Sequence, residues 1–394
     1  MAITLPQGFR AAGLHCGIKG DTSKNDLALV FSDRDAVAAG VYTQNQVFAA
    51  PVAYDQARTP NDQTRVVVVN SGNANACTGA RGDSDAEEMA RRAAEACGVR
   101  PDQALVMSTG LIGAFLPMDE IRSGITQAAG QLADDEDALV AAARGMMTTD
   151  TVHKLAGRTL TLGKREVKIT GLAKGAAMIG PNMATMLGLV LTDAVLTPET
   201  AQKALREAVD DSFNCISVDG HMSTNDTVLL LAGGGKPLAD DQLTEFTGAL
   251  RDVCIELARA IIADGEGASH RITIDVEGCK SRADAHRIAK TVAESALVKT
   301  AVAGADPNWG RIVSAAGYSG AALDPARVDL EVNGHLLYRH GSPATFDAET
   351  VSESIRAERE TSIVLRVGDG PASVRFWTTD LTAEYVRLNA DYTT

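Results

Sequence analysis

The pattern of apolar and polar positions along the chain predicts many short strands. The run RVVVVN, from Arg65 to Asn70, is continuously apolar at its centre, which is typical of a buried strand. The run from Arg271 to Val276 alternates apolar and polar residues, as a strand with one covered face does. Strands are predicted at 65–70, 104–108, 166–173, 184–191, 227–232, 271–276, 328–332, 362–367 and 373–379. The last part of the chain is therefore mostly strand.

Helices separate several of these strands. Ser84 and Glu87 have the spacing of a capping box, and Gly98 stands where a left-handed C-terminal cap belongs. Thr197 followed by Pro198 is a typical helix start. Helices are predicted at about 84–97, from 197 onward, at 243–263 and at 282–295. Since the elements follow no regular βαβ rhythm and no repeat or linker interrupts them, we predict an α+β layered fold in one compact unit, residues 1–394.

Composition and charge exclude several classes of protein. The 394 residues are 45% apolar and 22% charged, with a net charge of −14 and scattered basic residues. Nucleic-acid binding needs a concentrated positive surface, so we expect none. No apolar run approaches the roughly 20 residues of a membrane helix, and the first residues lack a cationic start and an apolar core of a signal peptide, so a cytoplasmic protein is expected. The six cysteines form no CxxC pair, and we expect neither a metal nor a cofactor.

The densest group of unusual residues is KGAAMIGPNMATML, from Lys174 to Leu187. It holds one charge, a Gly-Pro turn, one asparagine and a threonine, Thr185, between small and apolar neighbours. On this pattern alone the segment is a tight turn into a strand, and Thr185 is an ordinary strand residue.

This segment resembles the processing segment of the ornithine acetyltransferase family, also called bifunctional glutamate N-acetyltransferase, which reads K-G-x-x-M-I-x-P-x-M-A-T-M-L. Other blocks similar to that family follow one another over essentially the full length. They are NSGNANACTG (70–79), STGLIG (108–113), TTDT (148–151), VDGHMSTNDT (218–227), DGEGASH (264–270), VKTAVAGADPNWGRI (298–312) and YVRLNADYTT (385–394). The resemblance implies a layered α/β/β/α-type sandwich like that of the N-terminal-nucleophile aminopeptidases.

The resemblance also implies a mechanism. The chain would cleave itself between Ala184 and Thr185 into an α chain, 1–184, and a β chain, 185–394. A threonine hydroxyl is a poor nucleophile without a base. The new α-amine of Thr185, with an ordinary pKa of about 7.7–8.0, supplies that base on the same residue. Thr185 would then carry an acetyl group from N-acetyl-ornithine to glutamate in a ping-pong reaction.

Further site residues are carried over from the family motifs. The resemblance gives Thr109 and Gly110 as the oxyanion hole. Its substrate contacts fall on Thr148, Lys174, Thr185, Glu266, Asn389 and Thr394. Without the resemblance these would be a strand-to-turn boundary, solvated charges and a frayed terminus. Acetyl-CoA stays open as a second donor, and the family suggests a heterotetramer of two α and two β chains or a larger assembly.

One block departs from the family pattern, and two alternatives stay open. The family commonly has Asp-Thr where His221 and Met222 stand, which we interpret as a variation in a loop that bears no assigned residue. An N-terminal-nucleophile aminopeptidase of related fold would also cleave itself, but would hydrolyse peptides. A non-catalytic amino-acid-binding protein would keep the fold without turnover.

Overall fold

The computed structural model describes residues 3–163, 165–180, 186–234 and 238–391. Within these residues the chain forms two β-sheets with helices packed on their faces. The strands are β1 (Phe9–Leu14), β2 (Leu27–Tyr42), β3 (Asn61–Asn73), β4 (Ala104–Leu111), β5 (Lys154–Leu162), β6 (Arg165–Lys174), β7 (Leu187–Thr192), β8 (Ile216–Ser217), β9 (Thr227–Ala232), β10 (Arg271–Cys279), β11 (Asp329–Val332), β12 (His335–Arg339), β13 (Ser342–Pro343), β14 (Glu360–Arg366) and β15 (Ala372–Thr379). The helices are α1 (Ala50–Gln56), α2 (Gly79–Ala96), α3 (Met118–Gly130), α4 (Glu136–Met146), α5 (Pro198–Asp210), α6 (Asp240–Ala263), α7 (Arg282–Glu294), α8 (Ala296–Ala303), α9 (Trp309–Gly317), α10 (Ala348–Ala357) and α11 (Ala383–Asp391).

The first sheet bends back on itself around the long strand β2. Its strands run in the order β4-β3-β2-β9-β7-β6-β5, with β1 also paired to β2. The pairing of β2 with β3 shifts register after Phe31, and β9 pairs with the second half of β2. Asn225, just before β9, donates a hydrogen bond to the carbonyl of Ser108 in β4, although β3 and β2 separate these strands in the sheet. The bend therefore brings the carboxyl ends of β3 and β4 against the beginnings of β7 and β9.

The two halves of the bent sheet enclose one core and carry helices outside. Alternate residues of β3 show this directly, since Val67 and Val69 belong to the inner cluster that includes β7, β9 and α4. Val66 and Val68 pack outward against α2 and α3. On the other half, α5 and α6 cover the outer face. Residues 66–70 of the RVVVVN run are buried because both faces of β3 are covered. The predicted α+β class and its α/β/β/α layering are confirmed.

The second sheet extends the molecule beyond α6. Its strands run in the order β13-β12-β11-β14-β10-β15-β8. Helix α7 packs on β10 and β15, and α6 contacts both β5 and β6 of the first sheet and β8 and β15 of the second. The alternation predicted for 271–276 is observed, with Ile272, Ile274 and Val276 buried. No helix in the described ranges has the length and apolarity that crossing a membrane requires.

Most predicted elements are present, and one helix start was wrong. Helix α5 begins as predicted, with the hydroxyl of Thr197 accepting a hydrogen bond from the Thr200 amide, and Gly98 has φ +68°. Helix α2 begins at Gly79 and not near Ser84, so the capping box does not form. Its first turn holds Gly79 and Gly82, which lower helix propensity and made the segment resemble a loop. Of the strand predicted at 184–191, residues 184 and 185 lie outside the described residues.

Candidate active site

The carboxyl ends of β3 and β4 form one wall of a cavity. The two strands are parallel, and Gly110 pairs with Gly72. Gly110 has φ +133°, and a Cβ atom there would lie 2.2 Å from the Gly72 carbonyl carbon, so this position requires glycine. Thr109 is buried, and its hydroxyl makes no hydrogen bond to another described residue. The Thr-Gly pair therefore presents a tightly packed backbone at the end of the strand, and a hydroxyl without a partner in the described ranges.

Asparagine side chains at the end of β3 and in the loop after it support this wall. The side-chain nitrogen of Asn73 donates to the backbone carbonyls of Ala114 and Phe115, and its side-chain oxygen accepts from the backbone nitrogen of Asn75. Asn75 has φ +48° and donates to the carbonyl of Gly82 in α2. The asparagines of the NSGNANACTG block thus satisfy backbone groups that lack strand partners.

Lys174, the last residue of β6, contributes the wall opposite. It is 2% exposed, and its ammonium has no hydrogen-bond or ion-pair partner among the described residues. Burial lowers the pKa of Lys174, while the carboxyl groups of Asp150 and Asp226 oppose that shift. A buried, unpaired ammonium at a cavity is a strong binding site for an anionic group, because pairing removes the cost of its desolvation.

A buried ion cluster fixes the TTDT loop behind Lys174. The ammonium of Lys154 lies 2.6 Å from a carboxylate oxygen of Asp150 and 2.6 Å from one of Asp264. Asp150 also accepts from the amides of Thr148 and Gly175, at 3.0 and 2.7 Å. The cluster therefore connects three parts of the chain, namely Thr148, Gly175 and the end of α6. The motif blocks contain both aspartates, but nothing in the sequence indicated that they share one lysine.

The DGEG segment after α6 places Glu266 at the cavity. The Glu266 amide donates to the carbonyl of Ala176, and its carboxylate accepts from the Asn389 side chain at 3.2 Å. Gly267 has φ +65°, and a Cβ there would lie 2.4 Å from the Tyr385 amide nitrogen. The glycine therefore lets the Glu266 loop pack directly against α11.

Helix α11 closes the cavity through polar contacts, and none of its residues is fully buried. The Tyr385 hydroxyl donates to Asp219 at 3.1 Å, and the same carboxylate accepts from the Met178 amide at 2.7 Å. Burial raises the pKa of Tyr385 well above its usual range, with Asp219 acting in the same direction. Tyr385 and Asp219 were not predicted as site residues, although both lie inside motif blocks. His221, interpreted as a loop variation, also lines the cavity.

The cavity has a volume of about 280 Å³, which suits a small metabolite. Six of the predicted residues line it: Thr109, Gly110, Thr148, Lys174, Glu266 and Asn389. The other lining residues are Ala74, Ile112, Thr149, Ala177, Met178, Asp219, His221, Ser223, Thr224, Asn225 and Tyr385. The predicted residues Ala184, Thr185 and Thr394 lie outside the described residues. Over the described ranges, no group of three or more histidine, cysteine, aspartate or glutamate side chains is placed to hold a metal ion.

Comparison with known proteins decides the family. The model of the ArgJ family matches residues 10–394. The chain belongs to the ArgJ family. A relative from Rhodopirellula baltica, named arginine biosynthesis bifunctional protein ArgJ, is 47% identical over 396 residues, which cover 99% of this chain and 96% of the relative. A relative of the same name from Symbiobacterium thermophilum is 47% identical over 398 residues, 100% of this chain and 98% of that protein.

A solved structure of ornithine acetyltransferase from Mycobacterium tuberculosis, complexed with ornithine, is 38% identical to this ArgJ-family chain. The alignment covers 46% of this chain and 95% of that chain, with a TM-score of 0.42. The family match confirms the resemblance to the ornithine acetyltransferase family that the motif blocks indicated. It also confirms the prediction of an acetyltransferase of arginine biosynthesis.

Proposed function

We propose that this ArgJ-family chain transfers the acetyl group of N-acetyl-ornithine to glutamate through an acetyl ester on Thr185. The observation that supports it best is the convergence of six predicted residues, distant in sequence, on one small cavity. Family membership favours this activity over the aminopeptidase alternative. The relatives are named bifunctional, and we extend the proposal to acetyl-CoA as a second donor to glutamate.

Self-cleavage comes first in the proposed sequence. The Thr185 hydroxyl oxygen attacks the Ala184 carbonyl carbon, the peptide C–N bond breaks, and the hydroxyl proton passes to the Thr185 nitrogen. Water then hydrolyses the resulting ester. This leaves the chains 1–184 and 185–394, the second beginning with a free α-amine and hydroxyl on Thr185. We further propose that two copies of each chain assemble, as a tetramer or a larger complex.

Acetyl transfer then uses the same hydroxyl twice. The Thr185 α-amine takes the hydroxyl proton as oxygen bonds to the acetyl carbon, and the C–N bond to ornithine breaks as that proton passes to the ornithine nitrogen. Thr109 and Gly110 stabilise the oxyanion of each tetrahedral intermediate. The neutral amine of glutamate then bonds to the acetyl carbon, the ester C–O bond breaks, and one amine proton passes to the Thr185 oxygen, which restores the free hydroxyl.

Substrate recognition follows from the charges around the cavity. We assign the Lys174 ammonium to the α-carboxylate that both substrates share, since it is buried and has no described partner. Glu266 and Asn389, already joined by a hydrogen bond, take a substrate ammonium, and Thr148 and Thr394 complete the polar contacts.

One assay tests this proposal as a whole. Purified protein is given labelled N-acetyl-ornithine or labelled acetyl-CoA as rival donors, with glutamate as acceptor. We expect N-acetylglutamate from both donors, and no release of amino acids from peptides. Transfer from N-acetyl-ornithine alone would remove acetyl-CoA as a donor. Peptide hydrolysis without transfer would establish the aminopeptidase alternative.

Replacing Thr109 by alanine should lower kcat by about 10²-fold and change KM little, because an oxyanion contact strengthens only as charge develops. Thr109→Ser keeps the hydroxyl and should retain most of kcat. Steady-state kinetics on fully processed protein measures both variants. A wild-type kcat in Thr109→Ala would place the oxyanion hole elsewhere.

A further inference from the structure

Two adjacent residues before β9 contact the two sides of the site. Asn225 is 4% exposed and Asp226 is fully buried. Asn225 donates hydrogen bonds to the carbonyls of Ala74, at 2.6 Å, and Ser108, at 2.8 Å. Ser108 directly precedes Thr109 in β4. The Asn225 side chain therefore fixes the strand end that bears the candidate oxyanion donors.

Asp226 makes the corresponding contact on the other side. One of its carboxyl oxygens accepts from the Met186 amide nitrogen at 3.0 Å. Met186 follows Thr185 in the chain, so this nitrogen belongs to the peptide bond on the carboxyl side of the candidate nucleophile. The Met186 carbonyl in turn accepts from the Thr227 amide, where β7 and β9 begin to pair. Asp226 therefore fixes the backbone nitrogen of Met186, the residue that follows the candidate nucleophile in the sequence.

The second carboxyl oxygen of Asp226 is buried and has no hydrogen-bond partner in the part of the chain that the structure describes. An unsatisfied buried polar atom costs stability, so this second oxygen does not itself stabilise the fold. Burial raises the pKa of Asp226 well above its usual range, and the Lys174 ammonium opposes that shift. The contact of Asp226 with Met186 is a hydrogen bond to a carboxyl oxygen, and the side-chain oxygen of an amide of the same shape can accept the same bond.

We propose that Asn225 and Asp226 are positioning residues that set the distance between Thr109-Gly110 and Thr185. The inference rests on the proposed acetyl transfer and deepens it. The two residues are neighbours, so their Cα atoms are about 3.8 Å apart, and both belong to one buried segment. A displacement of about 1 Å between reacting groups can cost about 10²-fold in rate, and a single dipeptide that holds both sides removes that freedom.

Asp226→Ala tests the contact with Met186. We expect kcat for acetyl transfer, measured on processed protein, to fall by about 10²-fold with little change in KM, and self-cleavage to slow. Asp226→Asn keeps an oxygen acceptor for the Met186 amide and should restore most of kcat.

Asp55 offers a matched control for that variant. It is also fully buried and accepts from one backbone amide, that of Val106 at 2.9 Å, while its second oxygen has no partner among the residues that the structure describes. Asp55→Ala should lower the melting temperature as Asp226→Ala does, but it should leave the kcat of the folded, processed enzyme unchanged. Equal losses of kcat in the two variants would make Asp226 a purely structural residue and overturn its positioning role.

Asn225→Ala tests the other side and does not depend on the folding of Asp226→Ala. If Asn225 acts through Thr109, the Asn225→Ala substitution should lower kcat far less in the Thr109→Ala variant than in the wild type. Multiplicative effects of the two substitutions, or a wild-type kcat in Asn225→Ala, would overturn the proposal.

The wild-type enzyme in the same assay separates this inference from the proposed function. If the wild type transfers the acetyl group and the Asp226→Asn, Asp226→Ala and Asn225→Ala variants all keep its kcat, only the positioning role is overturned. Absence of transfer by the processed wild type would overturn the proposed function and the positioning role with it.

Discussion

Thr185→Ala should leave one full-length chain of 41.2 kDa and show no acetyl transfer. The substitution removes the hydroxyl that attacks the Ala184 carbonyl, so neither the acyl shift nor the acetyl ester can form. The wild type should instead give the fragments 1–184 and 185–394. A denaturing gel and intact-mass measurement distinguish the two patterns.

Two further variants control that experiment. Thr185→Ser keeps a hydroxyl and should still cleave, at a reduced rate. Thr159→Ala removes an exposed threonine of β5 and should cleave as the wild type does. Efficient cleavage of Thr185→Ala before residue 185 would mean that another nucleophile, or a protease, cuts the chain.

Lys174→Met should raise KM for both N-acetyl-ornithine and glutamate by about 30-fold or more, since breaking a buried hydrogen-bonded ion pair costs about 2–5 kcal/mol. Methionine has a similar length and is tolerated in an apolar environment, so the fold should persist. Lys168→Met, on the same strand, is the control, because Lys168 donates to the Thr4 hydroxyl away from the cavity. Unchanged KM values in Lys174→Met would exclude Lys174 from carboxylate binding.

The pH dependence of kcat/KM provides a second measure of Lys174. Its pKa is lowered by burial, so the free enzyme loses this ammonium at a lower pH than it would lose an ordinary lysine. The protonated form binds the substrate carboxylate, and kcat/KM should therefore fall as pH rises through that pKa. On the acidic side activity should also fall, because a protonated Thr185 α-amine cannot accept the hydroxyl proton.

Local sequence signals predicted the individual helices and strands well where neighbouring residues determine them. The RVVVVN strand, the Thr197-Pro198 helix start and the Gly98 cap depend on short-range sterics and burial pattern. The start of α2 failed because Gly82 is required there by packing, since a Cβ would lie 1.9 Å from the Thr78 hydroxyl oxygen. Propensity counts such a glycine as a loop signal, whereas here it makes room for the side chain of Thr78, which immediately precedes the helix.

The site itself could be predicted only through the family motifs. The reason is physical, because the lining residues come from strands and loops that meet only after β2 bends the sheet. Nothing local distinguishes the buried Lys174 from a solvated lysine, or Asp226 from a surface aspartate. Tyr385 and Asp219 were missed for the same reason, since their hydrogen bond joins residues of distant blocks.

The acetyl ester on Thr185 is the central claim, and mass spectrometry of the processed enzyme tests it most directly. Processed protein is incubated with N-acetyl-ornithine alone, quenched in acid and measured as separate chains. The account predicts one added acetyl mass on the 185–394 chain, mapped to Thr185, none on 1–184, and its loss when glutamate is added. Turnover with no acetylated chain at any time, together with intersecting double-reciprocal plots, would mean direct transfer between bound substrates and would contradict the account.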